Sequence, residues 1–284
     1  MRKTSNLALK PLKFAFDKSK AIKRIYRMKM ARVHPEPIII IGNQKSGTTA
    51  IASLLGEATG QSVTIDMFHL INKKEPFYRE SLYKLYSQSL NLNSFIEKKA
   101  FYFSTKIIKE PELTFFYESL TEIFPRAKFV FVVRDPRDNI RSILNRLDIP
   151  GNLPSIEKEY TDKLQETIAW QLIVQGECPK IAGKNYIERL SNRWNMASDI
   201  YLHNKANIVI IRYEDFVKNK VSSINHLAEK VGLEMINDIS EKVNIQYQPR
   251  GNHNISIKAF FGKENLKIIN TCCEDKMKKF SYLL

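Results

Sequence analysis

The chain has 284 residues, 43% of them hydrophobic and 26% charged, with a formal net charge of +15. These are globular values, which exclude a wholly disordered, collagen-like or coiled-coil protein; at this length roughly 75% of the unfolded surface can be buried without help from disulfides or metals. The charge is uneven: residues 1–32 hold eleven of the 45 basic residues and one acid, Asp17.

Residues 1–35 therefore read as a basic arm, and 36–284 as one folded domain. Pro11 interrupts the arm, and Pro35 and Pro37 close it. Leu12, Ala15, Phe16, Ile22, Ile25 and Tyr26 recur at near-helical spacing among the lysines and arginines. One reading is an amphipathic segment in peripheral contact with an anionic membrane through residues 1–32. The other is a helix covering the body, or a solvated arm, and the irregular apolar stripe favours it. No apolar run approaches the 18 or so residues of a membrane span. The arm lacks the apolar core and small-residue cleavage site of a secretory signal. Cys178, Cys272 and Cys273 suit neither a disulfide framework nor a spaced zinc site. A cytoplasmic protein, in the solution or at a membrane periphery, is the expectation.

From residue 37 strands alternate with helices. Pro37–Ile41, Lys106–Lys109, Lys128–Val133 and Asn207–Ile211 read as strands. Helices are expected over 48–56, from Pro111 to about 124, from Pro136 to about 147, over 156–175 and 183–204, and over 214–231. Continuous apolar strands between helices imply a parallel sheet covered on both faces. The fold class is α/β, with a central parallel sheet flanked by helices in three layers. Trp170 and Trp194 fall in helical segments and read as core.

The turn after the first strand is Gly42-Asn43-Gln44-Lys45-Ser46-Gly47-Thr48-Thr49. A strand-to-helix turn presents free amides and the positive end of the helix dipole, which suits an anion. Gly47 permits close backbone approach, Ser46, Thr48 and Thr49 add hydroxyls, and Lys45 adds charge. Its bland counterpart is an ordinary helix cap. In the nucleotide-kinase loop the lysine directly follows the last glycine. Here Lys45 precedes Gly47, which weakens a kinase reading. The third strand ends Val133-Arg134-Asp135-Pro136, and Ser142 follows Arg134 by eight residues. An arginine at a strand end and a serine on the next helix can grip one anion from two sides.

In this order the two motifs resemble the 5′-phosphosulfate loop and the 3′-phosphate motif of the sulfotransferase family. The family usually has proline where this chain has Gln44. Arg212-Tyr213-Glu214-Asp215 after Ile208–Ile211 resembles the family's late turn, which implies Tyr213 near adenine. Arg250-Gly251 resembles its C-terminal segment over the 3′-phosphate, without the usual middle lysine. Met277–Tyr282 resembles its last helix. The resemblance implies a P-loop-like fold and 3′-phosphoadenosine 5′-phosphosulfate (PAPS) as co-substrate. It implies that Lys45, Ser46, Gly47, Thr48, Thr49, Arg134, Ser142, Tyr213, Arg250 and Gly251 bind that co-substrate. Its chemistry needs no metal, and no H-x-x-x-H or carboxylate cage is present.

The acceptor hydroxyl needs a base. Aryl and steroid sulfotransferases use a histidine two residues after a strand lysine, but this chain has Lys109-Glu110-Pro111. The carbohydrate and protein-tyrosine branches use an acid after the first helix, and Asp66 is the best candidate, with Glu75 and His69 as rivals. Glu57 is too close to that helix, and Glu110 either reaches the acceptor or starts the next helix. The catalytic set is then Asp66, Lys45 and Lys109, acting on a hydroxyl, foremost of a carbohydrate. The acceptor pocket is expected among residues 60–105 and 148–182. A P-loop kinase is the alternative. A non-enzymatic protein binding nucleic acid or membranes is the third, and the body lacks the aromatic-interleaved basic face that nucleic acid would require.

Overall fold

A computed structural model of the chain describes residues 31–72, 78–165, 168–247 and 255–283, together with Tyr26, Met28 and Met30. Most of the basic arm, Glu75 and the Arg250-Gly251 segment lie outside the described residues.

The four-isoleucine run makes the centre of the sheet. Strand β1 (Ile38–Gly42) is buried along its whole length, as a strand covered on both faces must be. It leads through the glycine turn into helix α1 (Thr48–Thr59). Strand β2 (Val63–Ile65) follows, then helices α2 (Met67–Asn72), α3 (Tyr78–Tyr86) and α4 (Leu92–Lys98). Strand β3 (Ile107–Lys109) leads into a 3-10 turn, Pro111–Phe116, and helix α5 (Tyr117–Ile123). Strand β4 (Lys128–Val133) is followed by α6 (Pro136–Arg146), α7 (Lys158–Gln165), α8 (Ile168–Gln175) and α9 (Tyr186–His203). Strand β5 (Ile208–Arg212), α10 (Tyr213–Lys218), α11 (Lys220–Lys230) and the long α12 (Ile257–Lys279), kinked at Gly262, complete the order.

The sheet order is β2-β3-β1-β4-β5, and every pair is parallel. Ile39, Ile41, Phe129 and Phe131 face one layer with Leu113, Tyr186, Trp194 and Phe261. Ile38, Ile40, Val130 and Val132 face the other, against Ile51, Leu54 and Leu55 of α1 and Leu227 of α11. Burying each such side chain stabilises by about 1.5–3 kcal/mol. This is the expected three-layer α/β architecture.

The structure differs from the sequence reading in three places. Strand β2 is a fifth, three-residue strand at the sheet edge, too short to display a period of two. The helix expected over 214–231 is two helices. Asn219 leaves the helical region (φ −147°, ψ 86°), and its side chain accepts the Ser222 amide to start α11. Asparagine competes for backbone donors in this way. The stretch after Pro111 begins as a 3-10 turn whose cap is the Glu110 side chain.

Candidate active site

All five strands point their C-terminal ends the same way, and open α/β sheets bind ligands at that edge. β1 delivers the loop 43–47 there. Its last residue is pinned by Thr114, whose hydroxyl accepts the Gly42 amide (2.9 Å) and donates to the Gly42 carbonyl (3.1 Å). Lys45 sits in the left-handed region (φ 67°) and is half-buried. Ser46 is buried, with its hydroxyl accepting from Asn139 of α6 (3.0 Å). Asn139 also donates to the Gln44 carbonyl (2.8 Å) and accepts from Asn43 (2.9 Å). The first turn of α6 thus holds the loop.

Gly47 caps α1 with φ 93°. A side chain there would be strained and would meet the Tyr213 ring at 2.3 Å, so the glycine is a packing requirement. No side chain caps α1, and its first turn holds no acid. Its amides and its dipole are left for an anion. Thr48 is buried and Thr49 half-buried in that turn.

Arg134 leaves the end of β4 and crosses to the loop. Its guanidinium donates to the Lys45 carbonyl (3.0 Å) and lies over the Tyr213 ring at 4.6 Å. Its Nε is buried without a hydrogen-bond partner, a donor that an anion would satisfy. Its own carbonyl accepts the Trp194 indole N–H (2.9 Å). Ser142 lies partly exposed on α6, two turns in. Arg141 beside it donates to the Ile255 carbonyl (3.2 Å). Ile255 lies four residues past Gly251 in sequence. The late turn is tied in as well, because Glu214 accepts the Asp135 amide (2.9 Å) and the Tyr282 hydroxyl (2.7 Å).

Asp66 stands at the end of β2, in the left-handed region (φ 50°). Its amide donates to the Lys109 carbonyl (3.0 Å), and its carbonyl accepts from Leu70 to start α2. Its carboxylate pairs with the Lys109 ammonium. The lysine side chain is 4% exposed and the carboxylate 38%, so the acid faces the opening and the lysine lies behind it. Burial, then the charges of Arg146, Arg134 and Lys109, lower the Lys45 ammonium to about 8, against Asp66. The structure therefore brings Lys45, Arg134, Lys109 and Asp66 to one edge. Glu57, set aside as too close to the first helix, pairs with Lys242 at the other end of α1. His69 is exposed on α2.

Sequence reasoning missed the support beneath this edge. Gln44 donates to Glu112 (2.6 Å) and accepts from Arg193 (3.0 Å), and Arg193 pairs with Glu112 (3.0 Å). Tyr86 donates to the second Glu112 oxygen (2.8 Å), and Arg193 also donates to the Cys178 carbonyl (2.8 Å). Gln44, which replaces the family's usual proline, is thus a link in a buried charge network. That departure was the one signal available in advance. Glu110 is buried too, accepting the amides of Phe68 (3.1 Å) and Glu112 (3.3 Å). Burial, then repulsion by Asp66, pushes its carboxyl up to about 8.

Residues 35–281 match the model of the sulfotransferase domain family. No curated protein matches the chain in sequence. Among solved structures it is similar to sulfotransferase STF9 from Mycobacterium avium, at 11% identity with TM-score 0.53, over 94% of this chain and 82% of that one. It is also similar to sulfotransferase STF1 from Mycobacterium tuberculosis H37Rv (14%, TM-score 0.48, 94% and 81%). Mouse sulfotransferase SULT7A1, solved with PAP, gives 15%, TM-score 0.47, 89% and 88%. At such identities the likeness to STF9 concerns the fold. Among the described residues no helix is long and apolar enough to cross a membrane, and no cluster of three or more His, Cys, Asp or Glu is placed to hold a metal.

Proposed function

The chain belongs to the sulfotransferase domain family, and from that premise we propose how its residues carry out PAPS-dependent transfer to a carbohydrate hydroxyl. The co-substrate supplies the sulfuryl group and leaves as 3′-phosphoadenosine 5′-phosphate (PAP).

Asp66 is assigned as the base that takes the acceptor's proton while its oxygen bonds to sulfur. Its carboxylate pairs with the Lys109 ammonium and is exposed enough to meet an incoming hydroxyl. Lys45 neutralises the charge that builds on the departing 5′-phosphate oxygen, and the open amides of α1 act with it. Ser46, Thr48 and Thr49 surround the same phosphate. Arg134 and Ser142, with Arg250, hold the 3′-phosphate, and Tyr213 lies against the adenine. Lys109, paired with Asp66, keeps its carboxylate oriented. The observation that carries this assignment is the convergence of Lys45, Arg134 and the Asp66–Lys109 pair at the C-terminal ends of β1, β4, β2 and β3. A carbohydrate acceptor is preferred to a small phenol because an acid stands in for the histidine that Lys109-Glu110-Pro111 lacks.

Residues 1–35 are assigned to an arm outside the catalytic domain, in keeping with a family match that begins at residue 35. Peripheral contact of residues 1–32 with an anionic membrane is the alternative to packing on the body. Deleting them separates the two, through loss of salt-sensitive vesicle binding or through a lower melting temperature.

Ligand-dependent thermal shift tests the whole assignment. PAP at a hundred times its Kd stabilises a specific site by about 2.7 kcal/mol. Stabilisation by ATP with magnesium or by an oligonucleotide, and none by PAP, would return the kinase or nucleic-acid reading. Sulfation of a glycan panel then identifies the acceptor.

A further inference from the structure

Three elements outside the glycine turn converge on Gln44, the residue before Lys45. Its side-chain amide donates to Glu112 of the 3-10 turn (2.6 Å). Its side-chain carbonyl accepts from Arg193 of α9, through Nη2 (3.0 Å) and Nε (3.2 Å). Arg193 closes the triangle on Glu112 (3.0 Å), and the two side chains are 0% and 6% exposed. The far sides are held too. Arg193 donates to the Cys178 carbonyl (2.8 Å) and lies over the Phe115 ring at 4.5 Å, while the other Glu112 oxygen accepts the Tyr86 hydroxyl (2.8 Å). The third element, α6, takes the Gln44 backbone, whose carbonyl accepts from Asn139 (2.8 Å).

Glutamine carries a donor and an acceptor on one side chain, so it can lie between a buried anion and a buried cation. The reversed amide would set donor against donor and acceptor against acceptor, and buried groups left unpaired are costly. The Gln44 side chain is therefore held in one orientation. The consequence falls on the next residue. Lys45 is a non-glycine residue at φ 67°, a conformation that persists only where its surroundings hold it. The carbonyl before it is bonded by Asn139 and its own carbonyl by Arg134. The clamp on the Gln44 side chain fixes the same stretch from a third direction.

Resting on the sulfotransferase assignment above, we propose that Gln44 is a positioning residue for the 5′-phosphate. Acting through its side chain, the buried Arg193–Glu112 pair sets the backbone of Lys45, Ser46 and Gly47 against that phosphate. It takes no part in holding the 3′-phosphate. A loop set in advance loses less freedom when the anion arrives, and the gain appears as affinity.

The test is binding of PAP to the full-length protein by titration calorimetry, with phosphorus NMR of the saturated complex to separate its two phosphates. Gln44→Met keeps the length of the side chain, leaves the Arg193–Glu112 pair in place and removes the clamp. It is expected to weaken PAP by roughly tenfold or more, and to shift the bound 5′-phosphate resonance while the 3′-phosphate resonance stays in place. Ile224→Val trims a buried side chain in the opposite layer. It lowers stability and leaves the affinity and both resonances unchanged. Gln44→Glu alone sets two carboxylates together and loses affinity as Gln44→Met does. Adding Glu112→Gln exchanges amide and carboxylate, restores a donor facing an acceptor beside Arg193, and returns PAP affinity to within about threefold of wild type. This exchanged pair decides the matter if Gln44→Met does not fold. Wild-type affinity in Gln44→Met, equal shifts of both phosphate resonances, or no recovery in the exchanged pair overturns the proposal. Failure of the wild-type protein to bind PAP at all instead sinks the assignment beneath it.

Discussion

The Arg134 guanidinium donates to the backbone carbonyl of Lys45 at 3.0 Å, so two anion motifs 89 residues apart are hydrogen-bonded to each other. The bond fixes the left-handed Lys45 in place, and the same guanidinium covers the Tyr213 ring that packs on Gly47. The two motifs proposed to hold the phosphates are thereby joined by a direct hydrogen bond.

Arg134→Ala should weaken PAP by roughly tenfold to a hundredfold, because a charge-assisted hydrogen bond is worth about 1.5–3 kcal/mol. The loss on AMP, which lacks the 3′-phosphate, should be much smaller. Titration calorimetry with both nucleotides checks this, and equal losses would place Arg134 on the shared 5′ end.

Lys45→Ala should reduce turnover far more than PAP affinity, since the ammonium matters most as the leaving oxygen gains charge. The Lys45 ammonium is lowered to about 8, and only its charged form serves. kcat/KM should therefore fall about tenfold per pH unit above that value, reflecting the free enzyme. Lys45→Arg should abolish this alkaline limb, because guanidinium does not titrate there. An unchanged limb in that variant would assign it to another group.

Arg193→Met leaves Glu112 buried without its cation, a loss of about 3–5 kcal/mol for a broken buried pair. For a domain of this size that lowers Tm by roughly 10 °C. Adding Glu112→Gln should recover part of the loss by removing the stranded charge. Thermal denaturation of the single and double variants measures the coupling, and purely additive effects would contradict the network.

Glu110 supplies a pH signature. Its carboxyl is raised from 4.5 to about 8 in the fold, so between those values the native state holds a proton that the unfolded chain has released. Stability from this group is fully present below about pH 4.5 and is lost as pH rises through about 8. Glu110→Gln should lack that slope. Urea denaturation at pH 5 and pH 8.5 tests it, with parallel losses in both proteins as the contrary result.

What could be read from sequence alone were the features carried by neighbouring residues. A strand, a glycine turn and a helix start are contiguous, so the loop from Gly42 to Thr49 could be read as a candidate anion site, as could Arg134 with Ser142 after β4. Uninterrupted apolar runs such as Ile38–Ile41 also fix the parallel, doubly covered sheet, because only that environment buries every residue of a strand. The three-residue β2 carries too little pattern for its period to be recognised. Tertiary structure alone decided that β3 lies between β2 and β1, which sets Lys109 beside Asp66, 43 residues away. It alone decided that Gln44 joins Arg193 and Glu112, and that Tyr213 covers Gly47. Each of these depends on strand order and on which helix packs over which strand end, and local periodicity, which reports only the buried face of each element, carries no record of either.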